Sequence, residues 1–239
     1  MSSSNTRASV IIEFAGVSGS GKSSLVRELE KEMSEAGYDV SWEYIVNATR
    51  VKRLFEKIGT FFVITIASPV KALQIINECL KNYRYGPEAC RDILNIFYLL
   101  YRYRKARKAS SPEIWIFDQG LVQACWSVLM FGSRDSKILD LIWEDIQYVV
   151  IVSASPDIAW NRLEKRPYKG SRVQQKMKSQ YFTKYADSYM NQILVKLQSG
   201  LPAERLLIVE NNNQLSQSSG ETIQWVISAI RKRVKEPLS

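Results

Sequence analysis

Apolar residues along this chain follow two different periods. Short apolar runs at Val10–Phe14, Ile114–Phe117 and Tyr148–Val152 have the form of strands buried on both faces. Tyr38–Ile45 and Arg205–Val209 read as two more strands. Between the runs, apolar positions recur every three or four residues, as a helix facing a core requires. One stripe, Leu25, Val26, Leu29, Met33 and Ala36, ends at Gly37; a second, Val51, Leu54, Phe55 and Ile58, stops at Gly59. Further helices are predicted over Glu88–Lys108, Leu121–Met130, Ile138–Ile146, Gln174–Gln198 and Glu221–Lys235. Ser155-Pro-Asp157 is a helix start with a capping hydroxyl, a proline at the first helical position and an acid in the first turn; that helix stops at Pro167.

Strands alternating with helices predict an α/β fold: a five-stranded parallel sheet between two helical layers, with the site at the strands' C-terminal edge. The 239 residues show no internal repeat and suit one domain, 1–239, with Asn211–Gly220 a loop. Phe61–Ile76 is the most apolar stretch. It contains Pro69 and Lys71 and is shorter than the roughly 18–20 residues a membrane span needs, so it is expected to form a helix buried in the core or at a subunit interface. No membrane span is expected, and a homodimer is left open.

Chemistry enters directly after the first strand. Gly16-Val-Ser-Gly-Ser-Gly-Lys-Ser23 carries the pattern G-x-x-x-x-G-K-[ST], between an apolar strand and a helical stripe. Glycines let the backbone turn its N–H groups toward an anion, and the helix that follows adds its positive end. Gly16, Ser18, Gly19, Ser20, Gly21, Lys22, Ser23 and Ser24 are thus expected to hold a purine nucleoside triphosphate. Lys22, in solvent until the nucleotide arrives, would reach the β- and γ-phosphates, and the Ser23 hydroxyl would take one position on Mg²⁺. The guanine-reading Asn-Lys-x-Asp is absent, which points to ATP.

Asp118 closes the third strand, where a carboxylate can hold Mg²⁺ or accept a proton from an attacking hydroxyl. It also precedes the helix at Leu121, so an N-cap is the plain alternative. The chain has no histidine, which excludes His-based metal sites and Ser-His-Asp hydrolysis and leaves proton transfer to carboxylates or an unusual Lys, Tyr or Cys. Glu43, near the end of the second strand, is a second candidate acid. Arg162, Lys165, Arg166, Lys169 and Arg172 cluster after the fourth strand, with Arg162 and Arg166 on one helical face. They form a candidate lid over transferring phosphates, about residues 162–173, against the alternative of a solvated basic helix end.

The balance of 33 Lys and Arg against 24 Asp and Glu gives +9, which favours anionic partners without choosing among them. The basic and aromatic run Tyr101–Lys108 invites a nucleic-acid reading, but cations in the last turns of a helix complement its dipole, and that reading is preferred. Cys79, Cys90 and Cys125 are scattered and odd in number, which suits thiols in a reducing compartment. Met1–Ala8 lacks an apolar stretch, so a cytoplasmic location is expected.

Across nearly its full length the chain resembles the nucleoside-monophosphate-kinase-like small-molecule kinases, and thymidylate kinase most of all. The resemblance rests on Val10–Ser24, Ile114–Gly120, the arginines of Ser155–Arg172 and the closing strand and helix. It implies a P-loop kinase with a helical lid, in which ATP and Mg²⁺ serve transfer of the γ-phosphoryl group to a small acceptor. Lys22, Asp118, Arg162 and Arg166 would be catalytic, with Ser23 and Asp118 on the metal and Glu43, Gln119 and Arg172 on the acceptor. Two departures concern that acceptor: Asp118-Gln119-Gly120 stands where those kinases have Asp-Arg, and Ala15 where they have Glu before the first glycine. The resemblance implies a nucleoside monophosphate as acceptor, whereas Gln119, which offers hydrogen bonds without charge, opens the site to a nucleoside, a sugar or another hydroxyl-bearing metabolite instead. The competing classes are a P-loop ATPase acting as a nucleotide-dependent regulatory or partner-binding module, and a nucleic-acid-associated module using Tyr101–Lys108.

Overall fold

The computed structural model describes residues 9–43, 50–82, 86–109, 114–131, 136–165, 180–212 and 220–229. Five strands, β1 (Val10–Ala15), β2 (Val40–Glu43), β3 (Ile114–Phe117), β4 (Tyr148–Ser153) and β5 (Leu206–Glu210), form one sheet in the order β2-β3-β1-β4-β5. All four pairings are parallel. The expected five-stranded parallel sheet is present, and the three apolar runs are its inner strands. Such runs follow from burial on both faces, where every residue of β1 and β3 is covered.

Val10, Ile12 and Phe14 face one layer, made by α1 (Lys22–Glu35) and a helix over 220–229, here α9. Ile11 and Ala15 face the other, built from α2 (Arg50–Ala67), α3 (Pro69–Asn82), α4 (Gly86–Lys108), α5 (Leu121–Phe131), α6 (Ile138–Ile142) and α8 (Gln180–Gly200). α7 (Pro156–Glu164) follows β4, and two short 3₁₀ turns, Trp143–Asp145 and Ala203–Arg205, lead into β4 and β5. Each large apolar side chain buried in these layers stabilises the fold by about 1.5–3 kcal/mol. The side chain of Ser155 caps α7 by accepting from Ile158 N at 3.4 Å, with Pro156 at the first helical position as the sequence indicates.

Three expectations need correction. α2 does not stop at Gly59 but runs on to Ala67: nothing lies within 4 Å of a Cβ built on that glycine, so it sits in an open helical turn and costs only about 1 kcal/mol relative to Ala. Phe61–Ile76 is not one helix. Ser68 breaks it, because the residue before Pro69 is disfavoured in the helical conformation while proline suits the first position of the next helix. Nor is that stretch wholly covered by the chain itself. Ile64, Ala72 and Ile75 are buried, whereas Phe62, Val63, Ile66, Val70 and Leu73 are half or more exposed, as are Val51, Leu54 and Phe55 of the preceding stripe.

The basic end of α4 is tied to its neighbours. Arg102 donates to Tyr98 Oη at 3.2 Å, Arg104 to Ser68 Oγ at 3.1 Å and Arg107 to the Glu144 carbonyl at 2.8 Å. Among the described residues no helix is long and apolar enough to cross a membrane.

Candidate active site

The loop Gly16–Gly21 joins the C-terminal end of β1 to α1. Gly19 and Gly21 hold φ of +90° and +96°, the left-handed region where a side chain is strained, and Gly21 caps α1. Lys22 does not stand in solvent as expected. Its Nζ donates to the Gly16 and Val17 carbonyls at 2.6 and 2.9 Å, so the amine closes the loop on itself.

At the end of β3, Asp118 Oδ2 accepts from Ser23 Oγ at 2.8 Å, joining residues 95 positions apart. Asp118 is 6% exposed, and its Oδ1 has no hydrogen-bond partner among the described residues. A buried carboxylate oxygen left over beside a hydroxyl is a donor set that fits Mg²⁺, which takes one or two protein oxygens and fills its other positions with water and phosphate. Among the described residues no group of three or more Cys, Asp or Glu side chains could hold a metal unaided. The N-cap alternative for Asp118 finds no support in the contacts, since Val122 N at the start of α5 donates to Glu13 Oε2 at 2.9 Å.

Gln119 is exposed beside Asp118. Glu43 ends β2 and pairs in register with Phe117, one residue before Asp118, so its backbone reaches the same sheet edge. Ser18 is half-buried in the loop, and Ser24 is exposed on the first turn of α1. Arg162 lies on α7 against the loop, donating to Asn211 O at 2.9 Å and Ser20 O at 3.3 Å. Arg166 and Arg172, with most of the expected lid, lie outside the described residues.

Three residues of the site went unnoticed in the sequence. Asn211, 1% exposed after β5, donates from Nδ2 to Ser20 O at 2.9 Å, so β5 and α7 grip the loop together. Gln123 Oε1 accepts from Gly16 N at 3.0 Å; its signal was a polar residue in the first turn of an otherwise apolar helix. Glu13 interrupts the apolar run of β1 and is 1% exposed. Burial pushes its carboxyl up to about 7, against the backbone N–H groups of Val122 and Leu121 and the Tyr103 hydroxyl, which favour the charged form. The hydroxyl lies against the carboxyl, although Glu13 Oε1 and Tyr103 Oη make no well-aligned hydrogen bond. Burial also holds Tyr103 and Cys125 well above their ordinary values.

The raised Glu13 value has a signed consequence for stability. Between pH 4.5 and about 7 the folded chain keeps a proton that the unfolded chain releases. This contribution is complete below the lower value and is lost as pH rises through the upper one, up to about 3 kcal/mol. Glu13→Gln should flatten that slope, and urea unfolding of both proteins at pH 5 and pH 8 checks it; an unchanged slope in the variant would assign it elsewhere.

No family model matches the chain, and no curated protein matches it. Solved structures do. Deoxyadenosine kinase from M. mycoides with the products dCMP and a flexible dCDP bound aligns over 92% of this chain and 100% of its own, at TM-score 0.52 and 14% identity. The same kinase with bound dATP aligns over 93% and 100%, at 0.52 and 12%; with bound dCTP, over 92% and 100%, at 0.52 and 13%. At such identity the likeness establishes a shared fold and nothing finer.

Proposed function

We propose that this protein is an ATP- and Mg²⁺-dependent phosphotransferase that moves the γ-phosphoryl group to a hydroxyl of a small acceptor. The observation that carries this reading is the hydrogen bond from Ser23 to Asp118, which brings a phosphate loop and a strand-end carboxylate into one site. Loop N–H groups and the α1 N-terminus bind the phosphates. Lys22 exchanges the Gly16 and Val17 carbonyls for β- and γ-oxygens, and its charge counts most as the phosphoryl group leaves. Ser23 and the Asp118 carboxylate would hold Mg²⁺, which when bound shares positive charge between the β- and γ-phosphates. Arg162 braces the loop through Ser20 and Asn211, and in the closing segment Arg166 would meet the transferred group.

For the acceptor, neutral Gln119 where a thymidylate kinase would place an arginine favours a nucleoside over a nucleoside monophosphate. The deoxynucleotides bound by the similar M. mycoides structures support the same class. Glu43 would take the hydroxyl proton, and Arg172 would lie at the acceptor's side. Isotope transfer from γ-labelled ATP to a panel of nucleosides, their monophosphates and sugars tests this. Labelled monophosphate made from a nucleoside is expected; labelled diphosphate made from the monophosphates alone would return the chain to the thymidylate-kinase pattern.

The reading also takes the chain as one domain that pairs with a second copy. Val51, Leu54, Phe55, Ile58, Phe62, Val63 and Ile66 of α2 and Val70, Leu73 and Leu80 of α3 are 36–81% exposed. Apolar patches on monomers reach about 300–600 Å². Ten such side chains on consecutive helices are more apolar exposure than a stable complex leaves uncovered, which favours a partner over the face. Light scattering should give a dimer, and Ile66→Glu, at the most exposed of these positions, a monomer. A wild-type monomer that floats with neutral liposomes would assign the face to lipid.

A further inference from the structure

Two of the site's bridges to the phosphate loop and its helix lie at the N-terminal end of α5. Asp118, three residues before the helix, accepts from Ser23, and Gln123 in its first turn accepts from Gly16 N. What fixes this end is unusual. Gly120 opens the helix, its carbonyl accepting from Ala124 N at 3.0 Å, and a glycine has no side chain with which to cap. The cap comes from β1 instead, where Glu13 Oε2 accepts from Val122 N at 2.9 Å and the carboxyl lies against Leu121 N. A Cβ on Gly120 would overlap both Glu13 Oε2 and Tyr103 Oη, so the Asp118–Gly120 turn is shaped to this buried carboxyl.

We infer that Glu13 is a positioning residue: capping α5 from the central strand, it sets Gln123 against Gly16 and Asp118 against Ser23. Its kinetic consequence rests on the phosphotransferase reading; its structural consequence does not. The groups facing it are Tyr103 from α4, Cys125 from α5 and, farther along α4 and acting on Tyr103, Arg107. Of these only Glu13 changes charge near neutrality, since burial pushes Tyr103 and Cys125 up and arginine stays charged. The charged carboxylate suits the helix N-terminus better than the neutral acid, so the cap tightens as pH rises through about 7.

The test uses the whole nucleotide-free chain labelled with ¹⁵N. The Val122 and Gly16 amide resonances are expected to shift with one shared midpoint near pH 7, because Gly16 responds through Gln123. In Glu13→Gln neither should titrate, and in Tyr103→Phe the midpoint should move up, because the lost hydroxyl favours the charged carboxyl. In turnover, Glu13→Gln should lower kcat by about 10- to 100-fold, the cost of a small misplacement of reacting groups, with the KM for ATP within about twofold. A Gly16 amide that stays still while Val122 titrates overturns the inference, as does wild-type kcat in folded Glu13→Gln. Should that variant not fold, the wild-type titration and the Tyr103→Phe midpoint decide alone. Absence of phosphoryl transfer to any acceptor would defeat the phosphotransferase reading and leave the amide test standing.

Discussion

Lys22→Ala should lose at least about 10³-fold in kcat/KM, about 4 kcal/mol of transition-state stabilisation. The lysine is the only side chain with full positive charge within Gly16–Ser23, so no neighbour in the loop can take its place. Its present partners include two carbonyls of the loop itself, at 2.6 and 2.9 Å. Removing the amine therefore leaves those carbonyls to water and should cost no more than about 1 kcal/mol of stability. Circular dichroism and thermal unfolding check the fold, and steady-state turnover checks the rate. A folded variant with wild-type turnover would show that Gly16–Ser23 does not serve phosphoryl transfer.

Asp118→Asn is expected to reduce kcat by about 10²- to 10³-fold while nucleotide affinity without Mg²⁺ changes only a few-fold. The amide keeps the geometry, because Asn still accepts the Ser23 hydroxyl as Oδ2 does now at 2.8 Å. What disappears is the negative charge, and Oδ1, without a partner among the described residues, is exchanged for an amino group that repels a cation. Higher Mg²⁺ should recover part of the rate. Loss of stability with unchanged turnover per folded molecule would make Asp118 a structural residue.

These expectations were readable in sequence because the Gly16–Ser23 loop and β3 are local. Gly16–Ser23 needs its glycines, lysine and serine within eight positions, and Ile114–Phe117 declares its burial by having no polar residue before Asp118. The contacts that hold the site were not readable. Asn211 meets Ser20 across 191 positions, Gln123 meets Gly16 across 107 and Glu13 meets Val122 across 109. A single sequence records such residues as a loop asparagine, a helix glutamine and an interruption in a strand. The α2–α3 face shows a different limit. Its periodicity identifies an apolar stripe, and the stripe looks the same whether its cover is the chain's own core or another molecule. Gly59 and Pro69 depart from the sequence expectation for one reason: a helix boundary depends on the hydrogen bonds and packing around it, and α2 continues through an open glycine while Pro69 starts a new helix.

The central claim is transfer to an acceptor. The most direct measurement is ADP formation by the purified chain with Mg²⁺ and ATP, with and without a pooled library of nucleosides and other hydroxyl-bearing metabolites. Turnover that requires the pool, with one member gaining a single phosphoryl group by mass spectrometry, is the result expected. ATP hydrolysis at the same rate without the pool, all of its label released as free phosphate, would contradict it and make the chain a nucleotide-driven switch.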